Sequence, residues 1–375
     1  MNSHQSMNPR SKQKVLLIST AANNFRYQAP FSTRDENTSF SHLAMRCLAH
    51  GIDLHVTHGD NLIDRHTALA WVWRGVSWRW VDVRLEDVSL CYADLPPNPA
   101  GATAFRRALG TRAIPIVNSL ELSDLLTDKL ATHNYFSEHV PLTWRAETPG
   151  LVSRLRPDRL HPDLSADKLF FKPRYGERGR GIYIADHAGL ADHPALRFED
   201  YLVQAFLETR SGIPELGISE RHDLRLLLRN GELVQAFARI PATGSYLSNF
   251  SQGGRELPIK LDDLPSRIRQ FAAEIDASLS DFGPRFFSLD VGIGRSGKIW
   301  IYELNTMPDV VWDDRLPEGK PRHRLMHELI AAWLDDSGQL LRQAGEQKQR
   351  PPGRRAAAIG TRWPRHEKFA RHYIR

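Results

Sequence analysis

The sequence predicts an α/β protein with more than one domain, on three observations. A strand, a helix and a second strand follow one another before residue 57, which is typical of the start of an α/β domain. Two apolar strands flank a glycine-rich loop at 176–181, and hairpin patterns cover 223–240 and 285–305. A chain of 375 residues is long enough for roughly two or three such domains.

The first domain is predicted over 12–118. Its elements are strands at 15–18, 52–56, 88–97 and 114–117, with a helix at 39–50 that begins at the cap residue Ser39 and stops before Gly51. The segment 69–83 alternates four tryptophans about Arg74-Gly75 and predicts a hairpin. Cross-strand aromatic packing is the preferred interpretation of these tryptophans, and an aromatic binding platform is the alternative.

The remaining elements predict two further units, over 119–200 and 201–336. The first holds a helical segment at 120–140 and the strands that flank the glycine-rich loop. The second holds a strand at 201–207, the two hairpins, a helix at 265–280 and an amphipathic helix at 325–336. The segment 337–375 is interpreted as a basic, disordered tail.

Composition and charge exclude several classes of protein. The hydrophobic fraction of 41% and the charged fraction of 25% are those of a globular protein. No apolar run approaches the roughly 18 residues of a membrane span, and the polar first fourteen residues do not resemble a secretory signal. Cys47 and Cys91 lie in apolar segments and are expected to be buried and reduced. We therefore expect a cytoplasmic protein with no membrane partner.

The basic tail accounts for the positive charge of the chain. Residues 342–375 carry ten Lys or Arg and two Glu, so the net charge of +6 leaves about −2 for the rest. The body is therefore not expected to bind nucleic acid. Binding of nucleic acid or an acidic partner by the tail is kept as the alternative to disorder.

The glycine-rich loop is a candidate phosphate site. Lys172 ends a strand, and the loop from Gly176 through Gly179 to Gly181 leads into the next strand. Glycines let the backbone approach a phosphate, and a lysine adds positive charge. The loop is neither a P-loop nor a dinucleotide fingerprint, because a strand follows it. A plain hairpin turn is the alternative.

The hairpin at 285–305 is a candidate site for a hard cation. With a two-residue turn at Arg295-Ser296, one face carries Asp290, Glu303 and Asn305, with Asp290 and Glu303 as diagonal neighbours. The other face is predicted to be the core face, and its residues are Phe287, Leu289, Val291, Trp300, Tyr302 and Leu304. Carboxylate oxygens together with substrate phosphates suit Mg²⁺. A solvated polar face is the alternative.

The hairpin at 223–240 turns at Asn230-Gly231 and carries two candidate arginines. Arg225 and Arg239 could neutralise charge that develops in a phosphoryl transfer. A two-residue turn places them on opposite faces, so both reach one site only if a bulge intervenes. Two surface arginines are the alternative.

Six segments in order give a resemblance to the ATP-grasp superfamily, and within it to glutathione synthetases and ribosomal-protein glutamate ligases. These segments are 117–132, 170–182, 201–208, 223–241, 248–254 and 286–308. The resemblance implies an ATP-grasp fold of two subdomains that clasp ATP, preceded by a small α/β domain. It covers residues 12 to 335, the first domain only loosely.

The resemblance also implies roles for named residues. Lys129, Lys172 and the loop with Gly176, Gly179 and Gly181 would contact the phosphates, and the strand with Gln204, Phe206, Leu207 and Glu208 would meet the adenosine. Asp290, Glu303 and Asn305 would hold Mg²⁺, with Mn²⁺ as a substitute. Arg239 and Arg225 would stabilise an acyl phosphate, and Asn249 would lie near that intermediate.

The implied reaction is the ATP-dependent, ADP-forming joining of a carboxylate to an amine. The substrates would be small molecules or peptides, and a homo-oligomer is left open. An ATP-binding regulatory or structural protein without turnover is the alternative function.

Overall fold

The described residues of the computed structural model form three sheets and five helices. They are 13–19, 22, 29–61, 66–94, 114–146, 161–176, 180–186, 200–246, 254–306 and 319–349. Within these ranges no helix has both the length and the apolarity to cross a membrane. Cys47 and Cys91 are both buried and not disulfide-bonded, as predicted.

The first sheet has six strands and confirms an α/β arrangement at the start of the chain. Its strands are β1 (Gln13–Ser19), β2 (Ile52–Thr57), β3 (Thr67–Trp73), β4 (Trp78–Arg84), β5 (Val88–Asp94) and β6 (Ile116–Val117). The order is β4-β3-β2-β1-β5-β6. Strands β2, β1, β5 and β6 are parallel, and the hairpin of β3 and β4 adds antiparallel to β2.

The tryptophan hairpin confirms the packing interpretation. Trp71 faces Trp80 and Trp73 faces Trp78 across β3 and β4, with ring centroids 4.9 and 5.5 Å apart and edge-to-face geometry. All four pack in or against the core of the first sheet. Such pairs add roughly 0.5–1.5 kcal/mol beyond their buried area, which accounts for the pattern without a ligand.

The first helix starts earlier than predicted. Helix α1 (Arg34–Ala49) is capped by Thr33, and the cap residue predicted from the sequence, Ser39, is buried inside the helix. Thr33 Oγ1 accepts from the Glu36 backbone N–H, and the Glu36 carboxylate accepts from the Thr33 N–H. This capping box stabilises a first helical turn of polar residues. The pattern of apolar residues begins after that turn, so it predicted a later start. Gly51 follows the helix with φ +75°, in agreement with the prediction.

The last helix is longer than predicted and packs on the first sheet. Helix α5 runs over Gly319–Gln349, so it begins before 325 and continues beyond 336 into the segment expected to be a tail. Trp333 is fully buried, with Tyr92 of β5 at 5.2 Å and Phe286 at 5.7 Å between ring centroids. A Cβ on Gly338 would lie 2.1 Å from the Gln13 side chain, so α5 crosses closely over β1. Residues 350–375 of the predicted tail lie outside the described ranges.

The predicted helical segment at 120–140 is two helices, followed by a four-stranded antiparallel sheet. Helices α2 (Leu120–Thr127) and α3 (Lys129–Tyr135) separate at Asp128, whose backbone is extended and whose side chain caps α3. The sheet has the order β7-β10-β8-β9. Its strands are β7 (Thr143–Arg145), β8 (Leu164–Pro173), β9 (Tyr183–Asp186) and β10 (Tyr201–Leu207).

A five-stranded antiparallel sheet in the order β13-β12-β11-β14-β15 contains both predicted hairpins. Its strands are β11 (Asp223–Arg229), β12 (Glu232–Ile240), β13 (Arg255–Ile259), β14 (Phe286–Ile293) and β15 (Ile299–Asn305). Helix α4 (Ser266–Ser278) packs on one face. Asn230 and Gly231 both have positive φ, +48° and +95°, as the predicted two-residue turn requires.

The register of the second hairpin differs from the prediction. The predicted two-residue turn at Arg295-Ser296 would place Gly294 opposite Gly297, but the Gly294 N–H donates to the Lys298 carbonyl instead. A bulge next to Asp290 then shifts the pairing of the two strands again. Asp290 therefore lies directly opposite Glu303, whereas the prediction made the two residues diagonal neighbours. Because a one-residue shift reverses the faces of a strand, Ile299 and Ile301 join the core, whereas Trp300 and Tyr302 lie on the other face.

Candidate functional site

A pocket lies between the four-stranded and the five-stranded sheets. The four-stranded side contributes Phe170, Lys172, Ile182, Gln204, Phe206 and Leu207, and helix α3 contributes Lys129. The five-stranded side and the segments joined to it contribute Thr209, Arg221, His222, Asp223, Arg239, Pro241, Tyr246, Asp290, Tyr302 and Glu303. Most of the predicted site residues thus meet in one place.

Two lysines enter the pocket from the side of the four-stranded sheet. Lys129 Nζ donates to the Gly176 carbonyl at 2.6 Å and lies 4.0 Å from Glu303 Oε2. Lys172 is 7% exposed, and its Nζ donates to Gln204 Oε1 at 2.9 Å. Burial, and then the nearby Lys129 charge, lower the pKa of Lys172 to about 7. A polyanion in the pocket would restore its positive charge.

The base of the glycine-rich loop is tied to the start of α3. Arg174 donates through Nε and Nη2 to Asp128 at 2.8 and 2.6 Å, and the Lys129 N–H donates to the Arg174 carbonyl. Gly181 has φ +72°, and a Cβ there would lie 2.8 Å from the Tyr201 hydroxyl. Gly176 lies beside Lys129, because its carbonyl accepts a hydrogen bond from that lysine. Gly179 lies outside the described residues.

Asp290 binds both predicted arginines. Arg225 donates to its two carboxylate oxygens at 2.6 and 2.5 Å, and Arg239 donates to Asp290 Oδ2 at 2.7 Å and to Asp223. A bulge between Leu227 and Leu228 brings the two arginines to one side, which the two-residue turn alone would not do. Burial opposes ionisation, but Arg225 and Arg239 together hold the pKa of Asp290 below its usual range.

The other two predicted metal ligands lie at the end of β15. Glu303 lines the pocket, and Asn305 Nδ2 donates to Glu303 Oε1 at 3.2 Å. Among the described residues, no three His, Cys, Asp or Glu side chains are arranged to hold a metal. The predicted set is instead two carboxylates, which face each other across the hairpin, and one amide. All three side chains offer hard oxygen donors.

The strand predicted to meet the adenosine lines the pocket in part. Gln204, Phe206 and Leu207 of β10 are in its wall, and Gln204 Nε2 also donates to Thr143 Oγ1 at 2.9 Å. Glu208 is outside the wall, because its carboxylate pairs with Arg221 at 3.2 Å. Asn249, predicted to lie near the acyl phosphate, is outside the described residues.

Sequence reasoning missed several residues of the site. Asp223 stands two positions before Arg225 in the same strand, which is a period-two signal that could have found it. Burial and the neighbouring Asp290 carboxylate raise the pKa of Asp223 in spite of Arg239. Tyr302 was assigned to the core, and the bulge places it in the pocket wall instead.

Asn118 was also missed, although it is 2% exposed and connects three segments. Its Nδ2 donates to the carbonyls of Phe286 at 2.8 Å and Thr306 at 2.9 Å, and its Oδ1 accepts from the Phe286 N–H at 2.7 Å. One side chain therefore joins the end of the first sheet to the first residue of β14 and to the residue after Asn305.

Comparison with known proteins identifies the fold that this site belongs to. Residues 165–305 match the family of the ATP-grasp domain of prokaryotic glutathione synthetase. A glutathione synthetase of Agrobacterium fabrum is 30% identical over 156 residues, which are 42% of this chain and 45% of the relative. A probable alpha-L-glutamate ligase of Parasynechococcus marenigrum is 24% identical over 209 residues, 52% of this chain and 42% of the relative.

A solved structure extends the similarity beyond the matched domain. The RiPP-associated ATP-grasp ligase of Chryseobacterium gregarium, in complex with ADP and a leader and core peptide, superposes with a TM-score of 0.53 at 15% identity. The superposition covers 84% of this chain and 96% of that one. The fold is therefore the ATP-grasp fold, and residues 165–305 are similar to the ATP-grasp domain of prokaryotic glutathione synthetase. The chain spans less than half the length of the two curated relatives.

Proposed function

We propose that this protein is an ATP-dependent, ADP-forming ligase that joins a carboxylate to an amine. The observation that carries the proposal is the pocket itself, in which Lys129 and Lys172 face Arg239, Asp290 and Glu303 from the opposite sheet. Among the charged residues that line the pocket, four are basic and three are acidic. The basic residues would attract a polyphosphate, and the acidic residues would limit how tightly it is bound. The relatives, a glutathione synthetase and a glutamate ligase, support the same class of reaction.

The nucleotide would lie with its phosphates between the two lysines. Each lysine already donates to a neutral oxygen, of Gly176 or of Gln204, and would exchange that bond for a charge-assisted bond to a phosphate. Gly176 and Gly181 let the loop approach the phosphates. The apolar residues of β10 would meet the base, as predicted from the resemblance.

The residues of the second hairpin fit a magnesium ion. Glu303 and Asn305 offer hard oxygens at the pocket, and Asp290 lies across the hairpin with its carboxylate charge maintained by two arginines. Asp290 Oδ1, which accepts from Arg225 Nε, has a further lone pair to offer. Bound there, Mg²⁺ would neutralise phosphate charge.

The chemistry requires positioning and charge rather than a nucleophilic side chain. A substrate carboxylate oxygen attacks the γ-phosphorus, the bond from that phosphorus to the β-phosphate oxygen breaks, and ADP leaves an acyl phosphate. The amine nitrogen then attacks the acyl carbon, phosphate leaves, and the nitrogen loses a proton to form the amide. Arg239, which is held by Asp223 and Asp290, would stabilise the negative charge of both steps.

The acceptor is proposed to be the amine of an amino acid or a peptide. The named relatives act in that chemistry, and the solved neighbour was captured with ADP and a peptide. The cytoplasmic location expected from the sequence is kept as part of the proposal, in line with the two buried cysteines, which are not disulfide-bonded.

The test is release of ADP and phosphate from ATP and Mg²⁺ in the presence of pooled amino acids and small peptides. We expect release that depends on one pool, is lost in Glu303→Gln and is kept in the matched control Glu232→Gln. Glu232 is an exposed residue at the turn of the first hairpin, paired with Arg229. Nucleotide binding without release in any pool would favour the regulatory alternative, and the absence of binding would refute the proposal.

A further inference from the structure

The pocket has two chemically different ends. One end holds the charged groups Lys129, Lys172, Asp290 and Glu303, and the other holds apolar and aromatic side chains together with Arg221. At the aromatic end Phe170 and Phe206 are stacked, with ring centroids 4.9 Å apart and planes 17° apart. A nucleotide has a polyanionic end and a flat aromatic end, so the base belongs beside these rings.

We infer that Tyr246 is a wall of the base subsite and determines how tightly the nucleotide base is held, an inference that rests on the proposed function. Tyr246 lines the same pocket as Phe170 and Phe206 but comes from the segment that follows β12. Its ring meets Phe206 edge-on, at 5.4 Å and 86°. It is not among the residues that the sequence predicted for the site.

Two cations hold the Tyr246 ring in place. Lys168 Nζ donates to the Tyr246 hydroxyl and lies 4.4 Å from the ring centroid. The Arg221 guanidinium lies 4.3 Å from the same centroid and 5.3 Å from that of Phe206. Arg221 is fixed in turn by Glu208. A ring held by two cation–π contacts and a hydrogen bond is preorganised to accept a flat ligand.

Tyr246 also links the two sides of the pocket. Lys168 and Phe206 belong to the four-stranded sheet, whereas Tyr246 follows the strand that carries Arg239. A base between these elements therefore contacts both sheets, while the phosphates contact the charged end. This makes Tyr246 a residue that contacts the nucleotide without contributing to the binding of its phosphates.

The experiment compares two ligands that share phosphates but differ in the base. ADP and inorganic tripolyphosphate, each with Mg²⁺, are titrated calorimetrically into the full chain and its variants. Tyr246→Ala is expected to raise the Kd of ADP about tenfold, the loss typical of one aromatic contact with a base, and to leave the Kd of tripolyphosphate unchanged. Tyr246→Phe, which keeps the ring, is expected to stay within about twofold of the unmodified chain.

The control is Tyr135→Ala, which removes a half-exposed tyrosine outside the pocket and should change neither Kd. Equal loss of ADP and tripolyphosphate binding in Tyr246→Ala would show that Tyr246 shapes the whole pocket, and the inference would be wrong. Unchanged ADP binding would also overturn it while leaving the proposed function intact. Failure of the unmodified chain to bind ADP would remove the proposed function and this inference together.

Discussion

Under the proposed function, Lys172 should make nucleotide binding depend on pH, and this can be measured with ADP alone. Its pKa in the empty pocket is about 7, below the ordinary value of 10.5, because it is buried and close to Lys129. Phosphate binds the protonated form, so binding above pH 7 must be accompanied by uptake of a proton. The Kd of ADP is then expected to approach a tenfold rise for each pH unit, and to rise about 50-fold between pH 7 and pH 9 because half of the lysine is already neutral at pH 7.

The free energy of unfolding of the protein without nucleotide is expected to increase with pH, whereas nucleotide binding is expected to weaken. Between pH 7 and the ordinary lysine pKa, the unfolded chain holds one proton more than the folded chain at this position. Lys172 therefore increases the free energy of unfolding by about 1.4 kcal/mol per pH unit over that range, whereas the contribution is flat below pH 7.

The assay compares the unmodified chain with Lys172→Met at each pH, by calorimetric titration of ADP and by urea denaturation. The difference between the two proteins removes the titration of all other groups. Lys172→Arg, which stays charged, should bind ADP with a much flatter pH profile. Parallel profiles of the unmodified chain and Lys172→Met between pH 7 and 9 would refute the reasoning.

Three further substitutions test the packing that supports the site, each by urea denaturation without nucleotide. Asp290→Asn leaves Arg225 and Arg239 without their shared carboxylate and should lower the free energy of unfolding by about 3–5 kcal/mol. Adding Arg225→Met should recover part of this loss. An unchanged urea midpoint would contradict the described pairing. Asn118→Ala removes three buried hydrogen bonds and should cost at least about 2 kcal/mol, with Asn118→Asp no better because it lacks the two donors. Trp333→Ala should cost about 3–5 kcal/mol by opening a cavity under the last helix, and a loss below about 1 kcal/mol would show that the helix does not complete that core.

The order of elements and most of the site could be predicted because they depend on residue types. An Asn-Gly turn, apolar alternation and a lysine at the end of a strand leave direct traces in the sequence. Lys172, Gln204, Asp290 and Glu303 lie in one pocket, and their roles in ligand binding stay predictions.

The faces of the two hairpins could not be predicted because they depend on bulges. A bulge adds one residue to one strand without requiring an unusual residue type, and it reverses the faces beyond it. One bulge brings Arg239 to the side of Arg225 and Asp290, and the other moves Tyr302 from the predicted core face to the pocket. In each case the error is a register shift of one residue.

Helix ends were missed for a different reason. The first turn of α1 and the second half of α5 are polar on most positions, so an apolar stripe underestimates both. Thr33 with Glu36 could have been recognised as a capping box three residues apart. The contact of Gly338 with Gln13 joins residues at opposite ends of the chain, and no local pattern reports it.

The packing of the last helix on the first sheet has a consequence for synthesis of the protein on the ribosome. Strand β1 emerges first, yet Trp333 and its neighbours in α5 are needed to cover the core that contains it. At about 5–20 residues per second, strand β1 would be synthesised some 15 to 60 seconds before the helix that covers it. During this interval Val15, Leu17 and the tryptophan hairpin would present apolar surface to chaperones, so a ribosome stalled before α5 should hold a chain that protease cleaves readily in its first domain.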